Sequence, residues 1–437
     1  MKKILVLGAG LVCKPGVTFL LKHGYEVTVA SRTIEKAEKI VQGFDNGKAL
    51  HVLAEDNEAL EKLIQKNDIA ISLLPWTHHL SVARACLKNN KLMATTSYVS
   101  QEMRALDEDV KDRGLLFLNE IGIDPGVDHM SAMKIIDEVH AEGGKIRHFY
   151  SICGGLPAPE DNDNPFGYKF SWSPRGVVLA SKNPARFLEH GEIVTISGEE
   201  LFLNKRLETV DDLGEFEVYP NRDSLPYQTI YGLDEAQTVM RCTYRNIGWC
   251  DTLKKIVDLG LVDESPVSYP KGTTYREMIA DLTGAGSNDD IPAIVAQKLD
   301  LQKEHFVIQN LQWLGLFSEE PMPDCPSKLD ILSERMLQKM QYKAGERDML
   351  ILRHRFVVDN RDGSKKTLLS TLIDYGIPNG DSSMARTVSL PLAVGVKLMA
   401  ENKINLTGVQ IPIVKEIYGP VLDGIDKLGI RMVEKTV

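Results

Sequence analysis

The chain has 437 residues, 43% of them hydrophobic and 26% charged, and its 61 acids against 51 bases leave a net charge of −10. That length supports two or three domains with a sizeable core, while the acidic balance leaves no sustained basic face for a phosphate backbone and excludes nucleic acid as a partner. No apolar run reaches the ~18 to 20 residues of a bilayer span, which excludes a membrane protein of that type.

The six cysteines, at 13, 86, 153, 242, 250 and 325, show neither C-x-x-C spacing nor a disulfide framework. This points to a cytoplasmic protein with no metal site. The start, Met1-Lys2-Lys3 followed by an apolar run to Cys13, imitates a short signal or lipoprotein segment. Val12 stands where such a segment needs a small residue, and a βαβ rhythm continues beyond it, so it reads as part of the fold.

In chain order, apolar runs at 4–7, 26–30, 51–53, 69–74, 92–96 and 115–118 alternate with helix-period segments at 14–22, 34–43, 57–66, 79–89 and 100–113. This alternation predicts a parallel sheet with helices on both faces. The polar clusters Pro75-Trp76-Thr77-His78-His79, Ser97-Tyr98 and Asn119-Glu120 fall after strand-like runs, at the carboxyl ends where open α/β sheets bind ligands. The first turn is the most informative: the strand Ile4-Leu5-Val6-Leu7 enters Gly8-Ala9-Gly10-Leu11-Val12 and then a helix, a pattern that brings bare backbone and a helix N-terminus to a pyrophosphate. The third fingerprint position is Cys13, not Gly or Ala, so the match rests on its βαβ context. The second run ends in Ser31-Arg32 with no acid for a ribose hydroxyl, which favours NADP(H) and leaves NAD(H) as the alternative. The competing reading is a nucleotide-free α/β core with an ordinary surface arginine.

After Asp124-Pro125-Gly126 the rhythm changes. Runs with strand character at 145–153, 167–172, 192–197, 216–219 and 238–244 lack crossover helices and predict a mixed or antiparallel sheet. The period is helical over about 250–342; 349–359 and 366–375, joined across Asn360-Arg361-Asp362-Gly363, predict a hairpin returning to that sheet. A long apolar helix at 383–401 has its most economical place against the first domain. The expected fold class is α/β: a Rossmann-type dinucleotide-binding domain over 1–124, an α+β substrate and dimerisation domain with a mixed sheet over 125–382, a helical insertion in it at about 250–342, and a C-terminal segment, 383–437, returning to the first domain.

Several residues have the chemistry of a site. Glu120, Asp124, Asp128 and His129 cluster where one domain hands over to the next; carboxylates there bind ammonium groups or move protons. Asp124 is the candidate, and Asp128 and His129 read as parts of a turn and a first helical turn. Cys153-Gly154-Gly155 closes a strand with a loop whose glycines permit close backbone approach, with Cys153 more often an inert packer than a nucleophile. Arg222, Arg241 and Arg245 lie at strand ends, and arginine forks suggest a substrate with several carboxylates. Surface ion pairs are the competing reading for each, as for Lys169 and Arg175.

Over essentially its full length the chain resembles the saccharopine reductases, the glutamate-forming saccharopine dehydrogenase family. The resemblance rests on Gly8-x-Gly10-x-Val12-x-x-Pro15, Val29-Ala30-Ser31-Arg32-Thr33, Thr95-Thr96-Ser97-Tyr98-Val99-Ser100, Asn119-Glu120-Ile121-Gly122-Ile123-Asp124-Pro125-Gly126, the block 153–176, Tyr219-Pro220-Asn221-Arg222-Asp223 and Gly345-Glu346-Arg347-Asp348. It implies an NADP(H) enzyme, with NAD possible, interconverting saccharopine with glutamate and aminoadipate semialdehyde in lysine metabolism. It places Gly8, Ala9, Gly10, Leu11, Val12, Ser31, Arg32, Thr33, Leu73, Leu74 and Thr96 near the cofactor. Ser97, Tyr98, Asp124, Cys153, Arg222, Thr243 and Arg245 fall near the substrate, with Tyr98, Asp124 and Cys153 as catalytic candidates and Tyr98, Asp124 or a water delivering the proton. The partners implied are these small molecules and a second copy in a homodimer, with no nucleic acid and no membrane. One departure is Ala54, where fungal relatives are more acidic. The alternatives are an imine-reducing relative of the carboxyspermidine-forming type, which should carry acids where Arg222 and Arg245 stand, and a non-catalytic nucleotide-sensing protein.

Overall fold

Strands buried on both faces have to be apolar throughout, and the opening run obeys this: Ile4, Leu5, Val6 and Leu7 are all buried. In the computed structural model, which describes residues 2–286 and 289–437, they belong to β1 (Lys3–Leu7). There follow α1 (Lys14–Lys22), β2 (Glu26–Ser31), α2 (Ile34–Val41), β3 (Gly47–His51), α3 (Asn57–Gln65), β4 (Ile69–Ser72), α4 (His79–Lys88), β5 (Leu92–Thr95), α5 (Gln101–Arg104), α6 (Asp107–Asp112), β6 (Leu116–Leu118) and α7 (Val127–Ala141). The sheet runs β6-β5-β4-β1-β2-β3 with every ladder parallel. Strand order reverses between β1 and β4, the switch point at which such sheets place ligands. Leu5, Leu7, Val82, Met93 and Phe117 are among the side chains that fill the core of this layer.

Two elements differ from the sequence expectation. The third strand is Gly47–His51, not 51–53; it is an edge strand whose residues are half-buried or exposed, so no apolar run marks it. The expected helix over 100–113 is two short helices, α5 and α6, parted at Ala105-Leu106.

The chain divides into two compact units, Met1–Ile146 with Val357–Val437, and Arg147–Phe356. It leaves the first along β7 (Lys145–Pro157). The second unit continues with α8 (Pro174–Leu179), β8 (Ala185–Glu189), β9 (Glu192–Ile196), β10 (Arg206–Thr209), β11 (Glu215–Pro220), α9 (Pro226–Ile230) and β12 (Thr238–Arg245). Helices α10 (Trp249–Asp258), α11 (Tyr275–Thr283), α12 (Ile291–Lys298), α13 (Phe306–Leu314) and α14 (Lys328–Lys339) precede the return along β13 (Asp348–Asp359). Its sheet is mixed: β10, β11 and β12 are antiparallel neighbours, whereas β12 and β7 run parallel.

Here two expectations are corrected. Residues 167–172 form no strand: Gly167 turns at a φ of +59°, and Phe170 donates its N–H to Met340 O at 3.0 Å, so the aromatic alternation reflects burial without a ladder. The segment after Cys153 is not a loop, since β7 runs on to Pro157. A Cβ on Gly154 would lie 2.6 Å from Tyr244 Cβ, so that glycine permits strand packing and not the approach of a ligand.

The first unit is completed by β14 (Lys365–Tyr375), α15 (Ser383–Ala400), β15 (Gly408–Gln410), α16 (Lys415–Asp426) and β16 (Val433–Thr436). A tight turn precedes β14, with Gly363 N donating to Asn360 O at 3.0 Å. β15 extends the parallel sheet beyond β6, β16 pairs antiparallel with β14, and α15 packs on α1. Among the described residues no helix is long and apolar enough to cross a membrane, and no group of three or more His, Cys, Asp or Glu is placed to hold a metal.

Candidate functional site

The glycine turn closes against β4. Gly8 has a φ of +109°, and a Cβ there would lie 2.7 Å from Leu73 O, so the turn itself demands glycine. Gly10 is exposed, and an added Cβ would meet nothing within 4 Å. The amides of Ala9, Gly10, Leu11 and Val12 donate to no backbone acceptor among the described residues, just before the N-terminus of α1. Open backbone donors beside a helix dipole fit a pyrophosphate.

Cys13 is buried, and burial pushes its thiol up to about 12, so it packs and does not react. The close helix contact usually given by a third glycine falls to Gly16: a Cβ there would lie 2.7 Å from Ser389 O on α15, and its N–H donates to Ser389 Oγ at 3.0 Å.

At the end of β2, Ser31 Oγ accepts from Thr33 N at 3.2 Å and turns the chain. Arg32 is exposed there and forms no ion pair or hydrogen bond with a described residue. Leu73 N–H donates to Leu7 O at 2.8 Å, Leu74 packs on the core, and Thr96 lies against Gly122.

The ends of β4, β5 and β6 hold a linked set of polar groups. Tyr98 OH donates to Asp124 Oδ1 at 3.1 Å, joining two predicted site residues, and the Asp124-Pro125 peptide is cis. Glu120, in the left-handed region with a φ of +55°, is buried. Its Oε1 accepts from Val99 N at 2.9 Å, and its Oε2 lies 2.8 Å from His129 Nε2, which donates to it. Asp128 Oδ1 accepts from Gly126 N at 2.5 Å. Glu120 and His129 thus tie the Tyr98 segment to the first turn of α7, while Asp128 fixes the turn that presents Asp124. Ser97 follows β5, with its Oγ 2.7 Å from Nε2 of the buried His79. Sequence reasoning placed His78-His79 and Glu120 at strand ends but had no signal for these partnerships, which join residues on different strands.

In the second unit the register brings three predicted residues together. Thr243 on β12 stands beside Cys153 on β7 and Tyr219 on β11, and Arg245, two residues on, shares their face. Arg245 is 6% exposed; its Nη1 donates to Tyr244 O at 2.8 Å, and its Nε has no partner among the described residues. The rings of Tyr168, Trp249 and Tyr219 surround it at 5.1, 5.5 and 6.0 Å from the guanidinium carbon. No described carboxylate pairs with it.

The other basic candidates have partners. Lys169, 2% exposed, meets Asp163 and Glu346 at 2.7 Å each, and Arg175 meets Glu264 at 2.7 Å and Asp330 at 2.9 Å. Arg241 Nη1 donates to Tyr227 OH at 2.8 Å. Arg222 lies apart from the Thr243 row, exposed beyond β11 with a φ of +57°, its carbonyl accepting from Arg186 N at 2.9 Å.

Known proteins resemble this chain over its full length. Family models described as the saccharopine dehydrogenase NADP binding domain and the saccharopine dehydrogenase C-terminal domain match residues 4–118 and 122–430. The saccharopine dehydrogenase (NADP(+), L-glutamate-forming) of Schizosaccharomyces pombe is 41% identical over 447 residues, covering 100% of this chain and 99% of that protein. Its Saccharomyces cerevisiae namesake is 39% identical over 100% of this chain and 99% of its own. The mitochondrial alpha-aminoadipic semialdehyde synthase of Bos taurus is 38% identical over 98% of this chain, which spans 47% of that longer protein. The solved apo histidine-tagged saccharopine dehydrogenase (L-Glu forming) from Saccharomyces cerevisiae matches with a TM-score of 0.91 at 38% identity, with 100% of both chains covered. With its glycine turn, its Ser31-Arg32 strand end and its full-length likeness to these proteins, this chain belongs to the saccharopine dehydrogenase family.

Proposed function

We infer that this chain is an oxidoreductase that uses NADP(H) to interconvert L-saccharopine with L-glutamate and L-2-aminoadipate 6-semialdehyde in lysine metabolism. Within the geometry, Arg245 carries this reading. Saccharopine is a secondary amine with three carboxylates, and a desolvated guanidinium whose Nε is unpaired and which meets no carboxylate among the described residues is a receptor for one of them. A carboxyspermidine-type substrate, poorer in carboxylates, would leave that charge uncompensated.

The cofactor supplies or accepts a hydride at the carbon next to the substrate nitrogen. The amides of Ala9 to Val12, with Gly8 and Gly10 keeping the turn open, bind its pyrophosphate; Ser31, Arg32 and Thr33 take the 2′-phosphate, and Leu73, Leu74 and Thr96 flank the nucleotide. In the first unit, Asp124 binds the substrate ammonium and Tyr98 orients the Asp124 carboxylate, with Ser97 as a hydroxyl donor. In the second, Arg245 and Arg222 take carboxylates, while Cys153 and Thr243 line the same face as Arg245. Cys153 acts by packing and position, because reduction of a carbon–nitrogen double bond needs no covalent enzyme intermediate. A homodimer in the cytoplasm completes the reading: the six unbonded cysteines suit a reducing compartment, and sedimentation reads the assembly.

The test is saccharopine oxidation followed by absorbance of the reduced nicotinamide, with NADP⁺ and NAD⁺ compared. Arg245→Lys, which keeps the charge and loses the fork, is expected to raise the saccharopine KM about tenfold or more and leave the NADP⁺ KM unchanged. Absence of saccharopine turnover by the unaltered protein removes the assignment.

A further inference from the structure

Behind Ser97 a chain of hydrogen bonds runs through His79 to Ser72, and the reaction as described employs neither of those two residues. Ser72 ends β4 and is fully buried; His79 opens α4 and is 6% exposed; Ser97 follows β5 and is half-buried. Ser72 Oγ lies 2.8 Å from His79 Nδ1, and His79 Nε2 lies 2.7 Å from Ser97 Oγ. The chain sits beside the glycine turn, because Leu73, the neighbour of Ser72, is the residue against which Gly8 closes.

Burial decides where the protons go. Among the described residues the Ser72 hydroxyl has one acceptor in reach, His79 Nδ1, and a hydroxyl hydrogen left unpaired in the interior would pay its full desolvation. Its hydrogen therefore goes to Nδ1, and a neutral ring then carries its own proton on Nε2, which donates to Ser97 Oγ. The ring stays neutral: burial first, and the neighbouring His78 second, push its pKa down to about 4, in the direction that the positive end of α4 also favours. Having accepted from His79, Ser97 keeps its hydroxyl hydrogen for a ligand, and it gives that hydrogen to no acceptor among the described residues.

We propose that His79 is a positioning residue: locked as its Nε2–H tautomer by Ser72, it holds the Ser97 hydroxyl as a donor aimed at a carboxylate oxygen of the substrate. This rests on the placement of Ser97 beside the substrate in the function inferred above. A ring with its proton on Nδ1 would instead make Ser97 an acceptor, which repels a carboxylate.

Nitrogen-15 NMR of histidine-labelled full-length protein, with His79 assigned by the loss of its signal in His79→Gln, should show a neutral Nε2–H ring across the neutral pH range. In Ser72→Ala that ring should relax to a mixture of tautomers. In kinetics, His79→Leu should raise the saccharopine KM about tenfold, the loss of one hydrogen bond to a charged group, with the NADP⁺ KM within about twofold. His79→Gln, whose amide replaces the Nε2 donor, should recover most of that loss, and adding Ser97→Ala to His79→Leu should cost little more. An Nδ1–H or doubly protonated ring in the unaltered protein overturns the proposal, as does equal damage to both KM values or no recovery with Gln. Should His79→Leu fail to fold, the tautomer and its dependence on Ser72 decide the matter. A chain that leaves saccharopine unoxidised defeats the inferred function, whereas the NMR reads the relay by itself.

Discussion

Arg32 stands exposed at the carboxyl end of β2, with Ser31 turning the chain beneath it and no acid at the ribose position. An exposed guanidinium there, unpaired among the described residues, is the group we propose for the 2′-phosphate. Arg32→Ala should raise the KM for NADPH about tenfold or more, the range for a charge-assisted hydrogen bond, and leave that for NADH nearly unchanged. Equal effects on both cofactors would remove the assignment. Asp124 gives a second test, since its Oδ1 already accepts from Tyr98. If it binds the substrate ammonium, Asp124→Asn raises the saccharopine KM and both limbs of the pH–rate profile survive. A flattened limb with an unaltered KM would assign proton transfer to it instead. The Tyr98–Asp124 partnership is not visible in the local sequence, because the two lie 26 positions apart and meet only where β5 and β6 end side by side.

Helix α1 has two jobs, and different glycines serve them. Its N-terminus follows the open amides of Ala9 to Val12, proposed above to hold the pyrophosphate, whereas its flank lies close on α15 through Gly16. Gly16→Ala would push a Cβ to 2.7 Å from Ser389 O, an overpacking that should cost about 1–3 kcal/mol of stability. The expected readout is a lower urea midpoint at an unchanged slope. Gly10→Ala is the control, since its Cβ meets open space: the midpoint should hold while NADP(H) binding weakens. A midpoint for Gly16→Ala equal to that of the unaltered chain would show that α1 and α15 slide apart at little cost.

For the molecule as a whole, acid sensitivity follows from groups with shifted proton affinities. His79 is held at about 4, below its ordinary 6.5. Between those values the unfolded chain binds a proton that the folded chain refuses, so stability is full above 6.5 and falls as pH drops toward about 4. Asp163, held down to about 2 by hydrogen bonds from Lys169 and Lys343, and Glu401, held down to about 2 by those from Lys397 and Lys403, act at lower pH. Their contribution is present above the ordinary carboxylate values and is lost as pH falls through about 2, and salt weakens it because both lie near the surface. Urea midpoints measured against pH should therefore decline in two stages, and His79→Gln should shrink the first while sparing the second. A first stage unchanged in His79→Gln would trace it to other histidines.

At that same scale, the sequence by itself determined the parallel sheet and its glycine turn. Strands buried on both faces are apolar along most of their length, so 4–7, 69–72, 92–95 and 116–118 announce themselves, and a glycine turn between strand and helix follows the first of them. The edge strand Gly47–His51 is half-exposed and leaves no such run, while the buried Tyr168 and Phe170 imitate a strand whose backbone bonds go elsewhere. Only the tertiary structure decided which basic residues are spoken for. Lys169 finds Glu346 across 177 positions and becomes an ion pair; Arg245, of similar character in the sequence, is buried among aromatic rings and meets no carboxylate among the described residues. The physical reason is that periodicity is a property of neighbours along the chain, whereas the pairing of a buried charge depends on what distant segments bring to it.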